Sequence, residues 1–201
     1  MTHDWIYLAS QSPRRRQLLE QLGVRHEMLL PQSHEDAEAL EAEREGELPA
    51  DYCERVTHAK LQAARARLAA LQGAPAPILC ADTTVALGRR ILGKPRDAAH
   101  AAETLRALSG RTHRVISAVV LAAGRREWRA VNVSRVHFAG IPEAAIERYV
   151  ASGEPFGKAG AYAIQSGIAA WISRIDGSYS GIMGLPLYET AQLLRQAGVR
   201  F

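Results

Sequence analysis

Arg14, Arg15 and Arg16 in one run, followed by Lys60, Lys94 and Lys158, spread a set of cations along a chain of 201 residues, and Glu35 and Asp82 are the carboxylates whose setting matches them. Several cations around one or two carboxylates suit a metal-assisted attack on a polyphosphate. The cations hold phosphate oxygens and offset charge as it develops. A carboxylate carries Mg²⁺ through one or two oxygens, and water and phosphate complete the octahedron. Competing chemistries find little support. Cys53 and Cys80 have no metal-ligand spacing, and His3, His26, His34, His58, His100, His113 and His137 are scattered, so zinc is not expected. The G-x-S-x-G elbow of a serine hydrolase is missing, and residues 157–167 lack the order of a Walker loop.

The elements that must position these groups follow from the hydrophobic pattern. Residues 5–9 read as a short buried strand. Ser12 is a natural N-cap and Pro13 suits the first helical position of the helix that follows, with Leu18, Leu19 and Leu22 as its apolar stripe and Gly23 at its end. The arginines sit badly in this helix, because its first turn carries the positive end of the dipole and disfavours each cation by roughly 0.3–1 kcal/mol. An anion bound there resolves the conflict, since helix N-termini and arginine forks both suit phosphate. A solvated basic turn is the bland alternative.

Residues 26–30 form a second strand closed by Pro31, and the acidic run 35–47 reads as a mostly solvated connection. Glu35, at its start, is the carboxylate placed to point into a cleft. A long Ala-rich helix spans 49–71 with Tyr52, Val56, Ala59 and Ala63 inward. Lys60 lies on the flank of that stripe, either snorkelling or touching a ligand. Residues 78–81 are a central strand that ends in Asp82, where an α/β protein places its ligand; a surface turn is the alternative. A hairpin at 85–92 delivers Gly93-Lys94-Pro95. A helix capped by Asp97 reaches Ser109, two long strands run over 114–122 and 127–138, and Pro142 opens a helix ending at Gly153. Residues 157–167 are too glycine-rich for a helix but offer Lys158 and Gln165. A strand at 168–175, a loop at 177–184 and a final helix at 185–196 complete the chain.

Composition bounds the rest. With 47% hydrophobic and 23% charged residues the chain is not expected to be disordered. A net charge of +4 is compatible with an anionic small molecule and weak for a nucleic-acid binder. No apolar leader or membrane span is read, so a cytoplasmic protein is expected, with no membrane and no nucleic acid among its partners.

Six stretches in this order, Leu8-Ala-Ser-Gln-Ser-Pro-Arg-Arg15, Ala81-Asp-Thr-Thr-Val85, Leu92-Gly-Lys-Pro95, Leu108-Ser-Gly-Arg-Thr-His113, Lys158-Ala-Gly-Ala-Tyr-Ala-Ile-Gln165 and Gly184-Leu-Pro-Leu187, closely resemble the Maf family of nucleoside triphosphate pyrophosphatases. Thr83 after the central aspartate resembles the branch acting on dTTP and UTP; the 7-methyl-GTP branch usually has glutamine there. The resemblance implies one α/β domain over 1–201, with a mixed elongated sheet flanked by helices and two lobes around a cleft, similar to inosine triphosphate pyrophosphatases. It implies hydrolysis of a nucleoside triphosphate to the monophosphate and pyrophosphate with a divalent metal, Mg²⁺ or Mn²⁺, and a homodimer. Carried over, Asp82 is the catalytic carboxylate, as general base or metal ligand, and Glu35 helps to hold metal or water. Ser10, Arg14, Arg15, Lys60 and Lys94 clamp the polyphosphate, while Arg14, Thr83 and Gln165 match positions linked to choice of base. His34, Gly157 and Ser178-Tyr-Ser-Gly181 depart from the family pattern. The alternatives are a pyrophosphatase for a different or modified nucleotide, and a non-catalytic nucleotide-sensing or nucleic-acid-binding regulator of cell division.

Overall fold

Strand β3 (Ile78–Leu87) is the axis of the computed structural model, which describes residues 2–36 and 39–201. The part of the acidic run at Ala37 and Glu38 lies outside the described residues. The other elements are β1 (Ile6–Leu8), α1 (Pro13–Gln21), β2 (His26–Met28), α2 (Pro49–Ala70), β4 (Arg90–Leu92), α3 (Ala98–Leu108), β5 (Thr112–Ala123), β6 (Arg126–Phe138), α4 (Glu143–Ala151), β7 (Ile172–Asp176), α5 (Tyr179–Met183) and α6 (Leu187–Gln196). The strands form one mixed sheet in the order β2-β1-β3-β5-β6-β7, with β4 beside β3.

The expectation that β3 stops before Asp82 is corrected by its pairing. The strand continues through Asp82↔Ala118 and Thr83↔Ser117 with β5, because Thr83, Thr84 and Val85 are β-branched and favour extended backbone. Asp82 is therefore mid-strand. It owes its access to a gap in the sheet. β5 fills one edge of β3 over Ile78–Ala86, so β1 and β4 must share the other edge. β1 is parallel and reaches only Ile78 and Leu79. β4 is antiparallel and begins at Val85. Between them, among the described residues, Cys80 to Thr84 have no strand neighbour on that side.

Alternation along β3 sends successive side chains to opposite faces. Leu79 and Ala81 join Leu18, Leu19, Leu193 and Leu194 under α1 and α6. Ile78 and Cys80 pack with Leu61 and Ala64 of α2. At about 1.5–3 kcal/mol for each fully buried aliphatic side chain, this packing holds α2 flat on the sheet and so fixes where its polar residues point. A separate core lies beyond the gap, where Val85 and Leu92 meet Leu105 and Leu108 of α3, Ile146 and Tyr149 of α4, and Phe138.

Three local expectations change. The buried stripe of α2 runs through Cys53, Val56, Thr57, Leu61, Ala64 and Arg67, displaced from Ala59 and Ala63. Residues 167–171 form a 3₁₀ helix, and the strand begins only at Ile172. The loop at 177–184 contains α5, which Ser178 caps by accepting from the Gly181 N–H at 2.9 Å. Among the described residues no helix is long and apolar enough to cross a membrane.

Candidate active site

The gap in β3 opens into a cleft of 420 Å³ lined by Ser10, Arg14, Arg15, Lys60, Asp82, Thr83 and Lys94, together with Arg67, Glu41 and Lys158. The end of β1, the first turn of α1, one face of α2, the exposed edge of β3 and the turn after β4 all converge there.

The arginine run resolves its dipole conflict within the chain. Arg15 donates from Nε to the Gly184 carbonyl at 2.8 Å, and its terminal nitrogens donate to Ser10 Oγ at 3.3 Å and Thr83 Oγ1 at 3.2 Å. Arg14 Nε donates to the Met183 carbonyl at 3.3 Å. These carbonyls close α5, where unpaired acceptors gather and cations are favoured. Burial, then the adjacent Arg15, lowers the Arg14 pKa. Arg16 points outward to Glu20 at 2.9 Å. Ser12 occupies the N-cap position without a side-chain cap; its own N–H donates to Ser10 Oγ at 3.2 Å, so the expected hydroxyl cap is corrected. Ser10 thus orders the loop ahead of α1.

Across the gap runs a chain of ion pairs. Lys60 Nζ donates to Asp82 Oδ1 at 2.6 Å and to Glu41 Oε1 at 2.8 Å, and Lys94 Nζ donates to Glu41 Oε2 at 2.7 Å. Glu41 sits on a 3₁₀ turn at Ala39–Glu41, inside the run read as solvated. Burial raises its pKa, but Lys60 and Lys94 outweigh that and leave it below the ordinary value. The reading of Glu41 as part of a solvated connection is therefore corrected. The signal available was Leu40, an apolar residue in an acidic run and itself part of the cleft wall.

Glu35, expected to point into the cleft, is not among the residues that line it. Both its oxygens accept from Arg67, at 2.8 and 2.6 Å, and Arg67 also donates to the Leu29 carbonyl at 2.9 Å. Arg67 bonding, then the Gln32 N–H, holds the Glu35 carboxyl at about 2. Arg67 was missed in the sequence, although it follows Lys60 by two helical turns and so shares its face. Gln165 is exposed and outside the cleft lining, while its neighbour Ile164 is within it. Lys158 lines the opposite wall and donates to the Glu154 carbonyl; burial lowers its pKa. Among the described residues no three His, Cys, Asp or Glu side chains gather where they could hold a metal ion. Asp82 and Glu41 line the cleft and both accept from Lys60, so an ammonium group already holds the oxygens a divalent cation would use there.

A family model described as Maf-like protein matches residues 5–197. The chain belongs to the Maf-like family. Relatives named dTTP/UTP pyrophosphatase are 62% identical in Polaromonas sp. (98% of this chain and 98% of the relative) and 58% identical in Cupriavidus pinatubonensis (99% and 100%). One in Ralstonia nicotianae is 59% identical, over 98% of this chain and 96% of the relative. A crystal structure of a nucleoside-triphosphatase / dITP/XTP pyrophosphatase from Mycobacterium abscessus shows a partial likeness, with a TM-score of 0.40 and 18% identity over 68% of this chain and 75% of that one.

In this Maf-like chain five of the six colinear motifs supply cleft residues. The sixth, Leu108 to His113, acts from behind. His113 Nε2 and Tyr162 Oη are 2.7 Å apart, and the ring stacks on Phe138 with centroids 5.5 Å apart. His113 thereby braces the segment carrying Tyr162 and Ile164, which contribute to the apolar part of the wall.

Proposed function

We propose that this protein hydrolyses dTTP and UTP between the α- and β-phosphates, releasing the nucleoside monophosphate and pyrophosphate. The names of the relatives support the substrates. The observation that carries the chemistry is Asp82, placed in the break of the sheet edge with Lys60 at 2.6 Å and further cations around it. In this reading Ser10, Arg15, Lys60 and Lys94 take the phosphate oxygens. The Asp82 carboxylate takes a proton from water as the water oxygen bonds to the α-phosphorus. The bond from that phosphorus to the bridging oxygen breaks, and pyrophosphate leaves with the electron pair, its charge offset by the lysines. A divalent cation, Mg²⁺ or Mn²⁺, would be held by Asp82 and would neutralise phosphate charge. Glu35 would join it only after leaving Arg67.

Arg14 and Thr83 are the proposed base-reading groups at the cleft, with Gln165, next to the cleft-lining Ile164, as the third. A donor and acceptor set of this kind rejects bases that leave it unpaired. The reading includes a cytoplasmic homodimer, which light scattering would report as twice the chain mass. The test of function is a panel of nucleoside triphosphates with pyrophosphate detection, with and without Mg²⁺. Turnover should be highest for dTTP and UTP, and Asp82→Asn should reduce it by at least about 10³-fold, as expected for loss of a catalytic proton acceptor with its positioning role. Near-normal turnover by that variant removes Asp82 from the reaction.

A further inference from the structure

Lys60 and Lys94, the two lysines proposed to hold substrate phosphates, are already bridged by one carboxylate. Glu41 places one oxygen 2.8 Å from Lys60 Nζ and the other 2.7 Å from Lys94 Nζ. A carboxylate with two oxygens spanning two ammonium groups is the arrangement a phosphate group would take between them. The backbone there is tied down. Tyr52 Oη donates to the Glu41 carbonyl at 2.8 Å, and Arg55 donates to the Ala42 carbonyl at 2.9 Å and to both Glu47 oxygens at 2.6 and 2.7 Å. The side chain is a quarter exposed, so it can rotate into water while the turn that carries it stays in place.

We propose that Glu41 is an internal competitor for the phosphate subsite: it occupies Lys60 and Lys94 when the cleft is empty, gives way to the phosphate chain of the substrate, and returns to help expel pyrophosphate. The proposal rests on the reading that these lysines hold phosphate. Three consequences follow from the geometry. The lysines stay paired and aimed into the cleft between turnovers. A single weakly bound anion cannot displace a carboxylate held at two points, whereas a chain of phosphates can. The affinity for product is lower than the cations alone would give, because binding must break two existing ion pairs. Asp82 also accepts from Lys60, so release of Glu41 leaves Lys60 with a partner at the reacting carboxylate.

The test is calorimetric titration of inorganic pyrophosphate, in chelator, into the wild-type chain and into Glu41→Gln, Lys94→Gln and the double variant. The glutamine keeps the side-chain length and leaves the Tyr52 contact with the backbone intact, and circular dichroism checks the fold of each variant. Pyrophosphate should bind Glu41→Gln about three- to tenfold more tightly than wild type, the range set by partly exposed ion pairs. It should bind Lys94→Gln more weakly, and the gain from Glu41→Gln should shrink in the Lys94→Gln background. Equal or weaker binding by Glu41→Gln, with Lys94→Gln still weakened, overturns the proposal and leaves the phosphate role of the lysines standing. Unchanged binding by Lys94→Gln overturns that role, and the proposal with it.

Discussion

Arg15 joins three parts of the chain through one planar group: the carbonyl after α5, the hydroxyl before α1 and the hydroxyl of Thr83 on β3. A lysine carries the same charge but cannot place three donors in a fixed fork. Arg15→Lys should therefore lower kcat/KM for dTTP by roughly 10–100-fold, equivalent to one or two good hydrogen bonds. Steady-state kinetics check this, and a melt should show loss of about 1–2 kcal/mol from the abandoned contacts. At this scale residue type was informative where a motif supported it. Ser10, Arg14, Arg15, Lys60, Asp82, Thr83 and Lys94 were legible in the sequence, and the fold brings them to one cleft. Glu41 and Arg67 were not. A glutamate in an acidic run carries no mark of the lysine nineteen positions later that it will meet, and an arginine on a helix reads as solvent-facing until the packing face is known. Glu35 shows the converse: its position beyond a strand end was legible, but its partner was not.

Elements decide what those residues can reach. The β3 boundary was misread because aspartate and threonine together suggest a turn, whereas pairing with β5 along the whole strand outweighs that local preference. The long strands β5 and β6 and helix α3 with its Asp97 cap were legible from alternation and capping. The five-residue α5 was not, and the strand expected at 168–175 begins only at Ile172, since segments so short are set by tertiary contacts. The contact between β5 and the 157–167 segment gives a prediction of its own. Burial holds His113 at about 4, below its ordinary 6.5. The folded chain resists a proton that the unfolded chain accepts, so the stability from a neutral His113 is complete above pH 6.5 and is lost as pH falls towards 4. The whole effect is on the order of 3 kcal/mol. His113→Phe, which keeps a ring against Phe138, should flatten denaturant-measured stability over that window while lowering it at pH 7, where Tyr162 loses its partner. An unchanged pH profile would show that His113 titrates alike in both states.

For the whole molecule, the sheet itself makes the site. One strand reaches the near end of β3 in parallel, another reaches its far end antiparallel, and the uncovered stretch between them holds Asp82 where two apolar cores meet a cluster of cations. This arrangement was accessible from the sequence only through the colinear motifs, because strand order and the gap depend on pairings between distant segments. A net charge of +4 in this layout suits the small polyanion proposed for the cleft. The central claim is that water, deprotonated at Asp82, attacks the α-phosphorus of a pyrimidine nucleoside triphosphate there. Hydrolysis of dTTP or UTP in ¹⁸O-labelled water, followed by mass spectrometry of the products, tests this directly. The label should appear in the nucleoside monophosphate and not in pyrophosphate, and Asp82→Asn should form the labelled monophosphate at least about 10³-fold more slowly. Label in pyrophosphate, or release of orthophosphate and a nucleoside diphosphate, would contradict the account.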